Sequence, residues 1–198
     1  MGWLLFILAW GGYYLLHSML AGEQAKQWVK KNTPKGYPLY RIGYNLLFII
    51  GLGLLIFWTV IADHEFILPR NLWMIITGVI LTGIGSLLLI LSVKNYNLKE
   101  FAGISALKNN TTEPTKEKLI ITGLNQWVRH PLYLSLYILF TGIGLMHPAA
   151  HTWIAIGVSF IYLPLGIWSE EKKLIAYFGE DYKKYRKTTP AIYPFLPW

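Results

Sequence analysis

Cysteine is absent from the 198 residues, which excludes disulfides, thiolate metal sites and a cysteine nucleophile. Charge is scarce too. Asp, Glu, Lys and Arg make up 14% of the chain, against roughly a quarter in soluble domains. Apolar residues reach 54%, with 9 Trp and 13 Tyr, so the composition suits lipid rather than water. No repeat or low-complexity tract interrupts the chain, and no metal site is expected. At this length one domain, residues 1–198, is the default.

Long stretches without charge are what the chain has instead. Gly2–Gly22, Ile42–Ala62 and Asn71–Val93 contain no Asp, Glu, Lys or Arg. Each can cross a bilayer core as a helix, which takes roughly 20 residues. A fourth stretch, Pro131–Ser169, is broken by Met146-His147-Pro148-Ala149-Ala150-His151. It reads as two short helices joined by a tight turn. The expected fold is therefore all-α and polytopic: about five transmembrane helices, with a C-terminal helical hairpin and an amphipathic tail helix. The first span has no basic segment before it and is too long for the core of a cleaved signal peptide.

The formal net charge of +8 raises nucleic acid as a partner, and its placement argues against one. Lys26, Lys30, Lys31, Lys35 and Arg41 lie in the first connection. Lys94, Lys99, Lys108, Lys116, Lys118 and Arg129 lie in the third. Lys172, Lys173, Lys183, Lys184, Arg186 and Lys187 lie in the tail. Arg70 alone falls elsewhere. This alternation suits a bilayer with anionic headgroups. By the positive-inside rule it puts the N-terminus outside and the C-terminus in the cytoplasm, with the inner (plasma) membrane as the expected location.

His17, Ser18 and Asn45 are polar residues within spans. Such groups are either functional or make interhelical hydrogen bonds. Gly78, Gly83 and Gly85 suggest close helix packing. Asn95–Gly103 suits a short interfacial helix, followed by a polar turn at Asn109–Pro114. In the tail, Ile175, Phe178, Tyr182 and Tyr185 recur at helical spacing with Lys and Glu between them. Gly179 is a candidate kink, and Pro190, Pro194 and Pro197 end the helix.

The residues that carry chemistry lie between Glu117 and Pro194. Arg129-His130-Pro131-Leu132-Tyr133 sits where a basic loop meets the fourth span. Proline suits the first turn of a helix, whose free N–H groups and positive end attract a carboxylate. Some 40 residues on, Glu170-Glu171 falls at the same membrane face. A cation, an imidazole, helix N–H groups and carboxylates together match a zwitterionic cofactor. A lipid-phosphate anchor and a solvated helix flank satisfy the same spacing.

With Gly123, Arg129-His130-Pro131-x-Tyr133, Glu170-Glu171, Leu174, Phe178-Gly179, Tyr182, Tyr185, Pro190 and Pro194, residues 117–194 resemble the catalytic module of the isoprenylcysteine carboxyl methyltransferase and phospholipid methyltransferase superfamily. The N-terminal half is similar to NnrU-like and small-thiol methyltransferase relatives at His17-Ser18, Tyr40-Arg41, Tyr44-Asn45 and Phe101-x-Gly103. The resemblance implies a polytopic enzyme using S-adenosylmethionine, with residues 1–93 as three spans and 94–198 as the cofactor-binding module. It implies a cofactor site at Glu117, Lys118, Leu119, Ile120, Asn125, His130, Pro131, Leu132, Tyr133 and Glu170. Glu170 would hold the amine or ribose, and Tyr182 and Tyr185 would pack the tail helix over the site. No residue is an obvious general base, and Arg129 and Glu171 are the catalytic candidates. Asn125 stands where relatives often have Tyr. Gly166 stands where prenylcysteine enzymes have an Arg thought to meet the substrate carboxylate.

The function that follows is membrane-embedded methyl transfer to a hydrophobic thiol or lipid-like acceptor, with the bilayer and an apolar small molecule or lipid as partners. The rivals are a non-enzymatic NnrU-like accessory protein, a prenylcysteine carboxyl or phospholipid amine methyltransferase, and a membrane reductase. A reductase would need a nicotinamide site, and no phosphate-binding cluster is present for one.

Overall fold

A computed structural model describes residues 2–62, 65–94 and 119–193. The expected interfacial helix at Asn95–Gly103, the polar turn after it, and Glu117 and Lys118 lie outside the described residues. Within them the helices are α1 (Gly2–Ala21), α2 (Glu23–Asn32), α3 (Tyr37–Ala62), α4 (Leu72–Val93), α5 (Pro131–Met146), α6 (Ala150–Phe178) and α7 (Glu180–Thr188). A single 3-10 turn covers Gly123–Gln126. The protein is thus an all-α, polytopic membrane protein. α1, α3, α4 and α6 are long and apolar enough to span, and α5 is a shorter apolar helix. The helices fall into two compact units, α1–α3 and α4–α7.

In the first unit, α1 and α3 are clasped by aromatic side chains. Hydroxyls of Tyr40 and Tyr44 donate to the carbonyls of Leu20 (2.7 Å) and His17 (3.3 Å). Tyr13 donates across to Phe48 O at 3.1 Å. The His17 ring sits 5.0 Å from Phe48 and 5.5 Å from Tyr44. The His17 ring thus packs against α3. Outward on α3 stand Leu46, Ile49, Ile50 and Phe57, all exposed, as lipid-facing side chains should be.

In the second unit, α4 starts at Asn71, whose side chain caps Met74 N at 2.9 Å. It meets α5 along a seam of small residues. A Cβ on Gly78 would lie 2.8 Å from Gly142 O, and one on Gly85 would lie 2.6 Å from Leu139 N. Gly83, the third glycine of the expected packing set, faces open space. Without water to expel, helices in lipid associate through such close backbone approach.

The break at His147-Pro148 appears as expected, and residues 65–67 run beside it. Ile67 N donates to Pro148 O and Ala150 N to Glu65 O, both at 3.0 Å. α6 departs from the short helix expected. Its 29 residues rise about 43 Å, against a hydrocarbon core of ~30 Å. No glycine or proline interrupts it between Gly166 and Gly179. Its apolar part ends near Trp168, where Lys172 Nζ sits 3.4 Å from the indole ring centre. A tryptophan with a lysine of this kind marks the lipid–water boundary, so Glu170 and Glu171 stand beyond it. Within α6, Pro164 cannot donate to Phe160 O. The Tyr137 hydroxyl approaches that carbonyl at 3.5 Å, its ring 4.7 Å from that of Phe160.

Gly179 separates α6 from α7. Its φ of 58° and ψ of −126° are open to glycine and strained for other residues. The suspected kink is a full break.

Candidate functional site

The site forms where the start of α5, the solvent end of α6 and α7 meet. Arg129 and His130 are both buried. They approach Glu171 from α5, although 42 and 41 residues separate the partners. Arg129 Nε donates to Glu171 Oε1 at 2.8 Å and its terminal nitrogen to the same oxygen at 2.5 Å. The other terminal nitrogen donates to Arg186 O at 3.1 Å and to Thr189 O. Those carbonyls close α7, whose last turn leaves such groups unbonded. One guanidinium thus joins α5, α6 and α7. Arg186 Nε adds a third cation contact, 3.5 Å from Glu171 Oε2.

His130 stands between the two glutamates. Its Nε2 lies 3.2 Å from Glu171 Oε1 and its Nδ1 3.7 Å from Glu170 Oε2. Burial pushes the Glu171 carboxyl up, but hydrogen bonds from His130 and Arg129, with their charges, outweigh it and hold it at about 2. The Tyr182 phenol, buried against this pair, is pushed up by burial and then by Glu171. Among the two glutamates the roles are unequal. Glu171 keeps 12% of its side-chain exposure and is engaged by Arg129, His130 and Arg186; Glu170 keeps 34% and, among the described residues, meets His130 at the longer distance.

The tail pairs with the backbone just before α5. Arg129 N donates to Pro190 O at 2.8 Å and His130 N to Ala191 O at 3.0 Å. These two amides precede the first helical residue, Pro131, so the N–H groups of the helix's own first turn are not the ones the tail takes. The sequence did not reveal this pairing; Pro190 was its only cue.

The remaining sequence-derived positions fall around this core. Pro131 is buried at the first helical position. Leu132 is half-buried, and its carbonyl accepts from Ser135 Oγ at 2.6 Å. The Tyr133 ring stands edge-on to His130, 5.7 Å away, and its hydroxyl would be 3.2 Å from a Cβ on Gly166. Leu119 is half-buried and Ile120 exposed. Asn125 Nδ2 donates to Ile120 O at 2.9 Å, and Asn125 O accepts from Tyr185 at 2.5 Å. Tyr185 thereby ties the loop before α5 to α7. Positive φ at Gly123, 64°, turns that loop.

Comparison with known proteins gives this arrangement its class. The chain is 31% identical to a methanethiol S-methyltransferase of Crocosphaera subtropica across 94% of this chain and 72% of that protein. It is 30% identical to methanethiol S-methyltransferase 1 of Bradyrhizobium diazoefficiens across 92% of this chain and 62% of that one. A protein-S-isoprenylcysteine O-methyltransferase of Schizosaccharomyces pombe is 32% identical over 108 residues, 50% of this chain and 41% of that protein. No solved structure matches. Fold and relatives together define a polytopic membrane methyltransferase of the isoprenylcysteine methyltransferase-like superfamily. Within it, the family model described as NnrU protein matches residues 5–192, and the chain belongs to that family.

Proposed function

We propose that the chain moves a methyl group from S-adenosylmethionine, bound at the cytoplasmic face, to a hydrophobic thiol or lipid-like neutral acceptor arriving from the bilayer. The observation that carries the cofactor half is the inequality of the two glutamates. Glu171 is engaged by Arg129, His130 and Arg186, whereas Glu170 is a partly exposed carboxylate met at 3.7 Å by His130. A cationic or hydroxylated group fits Glu170, as the amine or ribose of S-adenosylmethionine requires. The cofactor's carboxylate is assigned to the first turn of α5, to Arg186, whose side chain is 49% exposed, or to the Glu117–Ile120 segment. His130, Pro131, Leu132, Tyr133 and Asn125 line the same region. S-adenosylmethionine supplies an electrophilic methyl on a sulfonium. The protein's part is to orient both reactants and exclude water. Arg129 and Glu171 act here by fixing His130 and closing α7, not by proton transfer. A thiol with a pKa near 8.5 needs little help to ionise.

The acceptor half rests on Gly166. It supplies no cation, and the space above it is held by the Tyr133 ring. Burying an unpaired carboxylate costs several kcal/mol, so an acid is a poor substrate and a thiol a good one. The methanethiol S-methyltransferases aligned over most of the chain agree with this. The alternation of lysines and arginines supports an inner-membrane protein with the N-terminus outside.

The test is ligand-dependent melting of the detergent-solubilised chain, followed by transfer of radiolabelled methyl to a panel of thiols, prenylcysteines and phospholipids. S-adenosylmethionine at 100 times its Kd should add about 2.7 kcal/mol. Glu170→Ala should weaken the shift, and label should go to apolar thiols. No binding to well-folded protein would overturn the cofactor assignment and leave an accessory membrane role. Methyl-ester formation on prenylcysteine would overturn the reading of Gly166.

A further inference from the structure

Between α1 and α3 runs an apolar groove of about 430 Å³, reaching from Leu8 and Leu55 at one end to Leu20 at the other, with Gly12 and Gly51 along it. From residue 8 to residue 20 a helix rises about 18 Å, a little more than half of a ~30 Å hydrocarbon core. That is the depth the acyl chains of one leaflet fill. The Leu20 end has a polar neighbour. Leu20 O accepts the Tyr40 hydroxyl at 2.7 Å. One turn away, at the start of α3, the Tyr37 ring carries Lys30 Nζ 5.9 Å from its centre. Lys30 is thus tied to the end of α3 that meets Leu20. Lys31 and Lys35 beside it are exposed. Residues 22–41 contain five cations and one acid, Glu23, and Glu23 is engaged by Lys26 at 2.8 Å.

We propose that the α1–α3 hairpin binds one anionic glycerophospholipid, with an acyl chain in the groove and the phosphate at Lys30 and Lys31. An apolar channel of one leaflet's depth ending under a cluster of cations complements such a lipid at both ends. A zwitterionic lipid of equal chain length would match only the channel. The groove and its cations all belong to the α1–α3 unit, and the test needs no activity.

Native mass spectrometry of the full chain released from detergent, with phosphatidylglycerol or phosphatidylcholine of identical acyl chains, reads retention directly. The parent should keep one phosphatidylglycerol about 25-fold better than phosphatidylcholine, since each basic residue near an anionic group is worth roughly 1 kcal/mol, about fivefold. Lys30→Gln with Lys31→Gln should abolish that preference. Gly12→Leu should displace both lipids, because a Cβ there meets nothing within 4 Å and the larger side chain extends into the groove. Equal retention of the two lipids by the parent would overturn the headgroup assignment. Undiminished lipid on Gly12→Leu would overturn the groove assignment, leaving protein as what covers that face. The surface lysine pair keeps the proposal open to refutation even if Gly12→Leu folds poorly.

Discussion

Neutralising Glu171 is the sharpest test of how the site is held. In Glu171→Gln the shape of the side chain survives and the charge goes. Arg129, with 2% of its side chain exposed, loses its anionic partner at 2.5 and 2.8 Å. Breaking a buried pair by removing one partner costs roughly 3–5 kcal/mol. The lower end applies here, because Arg129 keeps the carbonyls of Arg186 and Thr189. The carboxyl itself points to a similar size: holding it at about 2 instead of 4.5 corresponds to at most roughly 3 kcal/mol. In a chain of this length about 3 kcal/mol lowers Tm by roughly 6–12 °C. The sign with pH follows from the direction of the shift. The folded-state value lies below the unfolded one, so the stabilisation is complete above about pH 4.5 and is lost as pH falls toward 2. Thermal unfolding in detergent at pH 7 and at pH 3.5 reads both effects, and the variant should lack the acid-dependent part. Replacing both partners, Arg129→Met with Glu171→Leu, should recover much of the loss, since no charge is then stranded. A Glu171→Gln protein within 1 kcal/mol of the parent at pH 7 would refute the buried-pair account.

Other perturbations probe the scaffold. Gly142→Ala puts a Cβ 2.5 Å from Thr82 N, so α4 and α5 must part; a loss of about 1–3 kcal/mol in steric trapping or denaturant titration is expected. Gly179→Ala forces a φ of 58° with ψ of −126° on alanine and should cost roughly 1–3 kcal/mol, read as lower Tm and faster proteolysis between α6 and α7. With no native cysteine, Ile67→Cys and Lys187→Cys report topology: an impermeant maleimide should reach the first only from outside and the second only from the cytoplasm. Labelling of both from one side would refute the proposed orientation.

The helices were legible because uncharged stretches have one solution in lipid, a hydrogen-bonded helix. Gly78 and Gly85 were also readable as packing positions, while Gly83 shows that a glycine pattern does not say which face meets a neighbour. The end of α6 was misjudged, because charge marks where lipid stops and a helix continues past that point until Gly179 breaks it. At the site, the sequence brought Arg129, His130 and the two glutamates to one membrane face. It could not rank Glu171 over Glu170, since adjacent helix positions differ by about 100° of azimuth and only the partner's position decides which points inward. The capture of the Arg129 and His130 amides by Pro190 and Ala191 is a pairing some 60 residues apart without a local signature.

The glycine seam between α4 and α5 also sets how this half of the molecule responds to temperature. Parting the two helices within a bilayer exposes apolar surface to hydrocarbon instead of water. The large heat-capacity increment that accompanies hydration of such surface is then missing. The free energy of the seam should vary almost linearly with temperature, without the curvature that weakens water-driven cores on cooling. Contact made by backbone against backbone, as at Gly78 and Gly142, is in this sense indifferent to the cold.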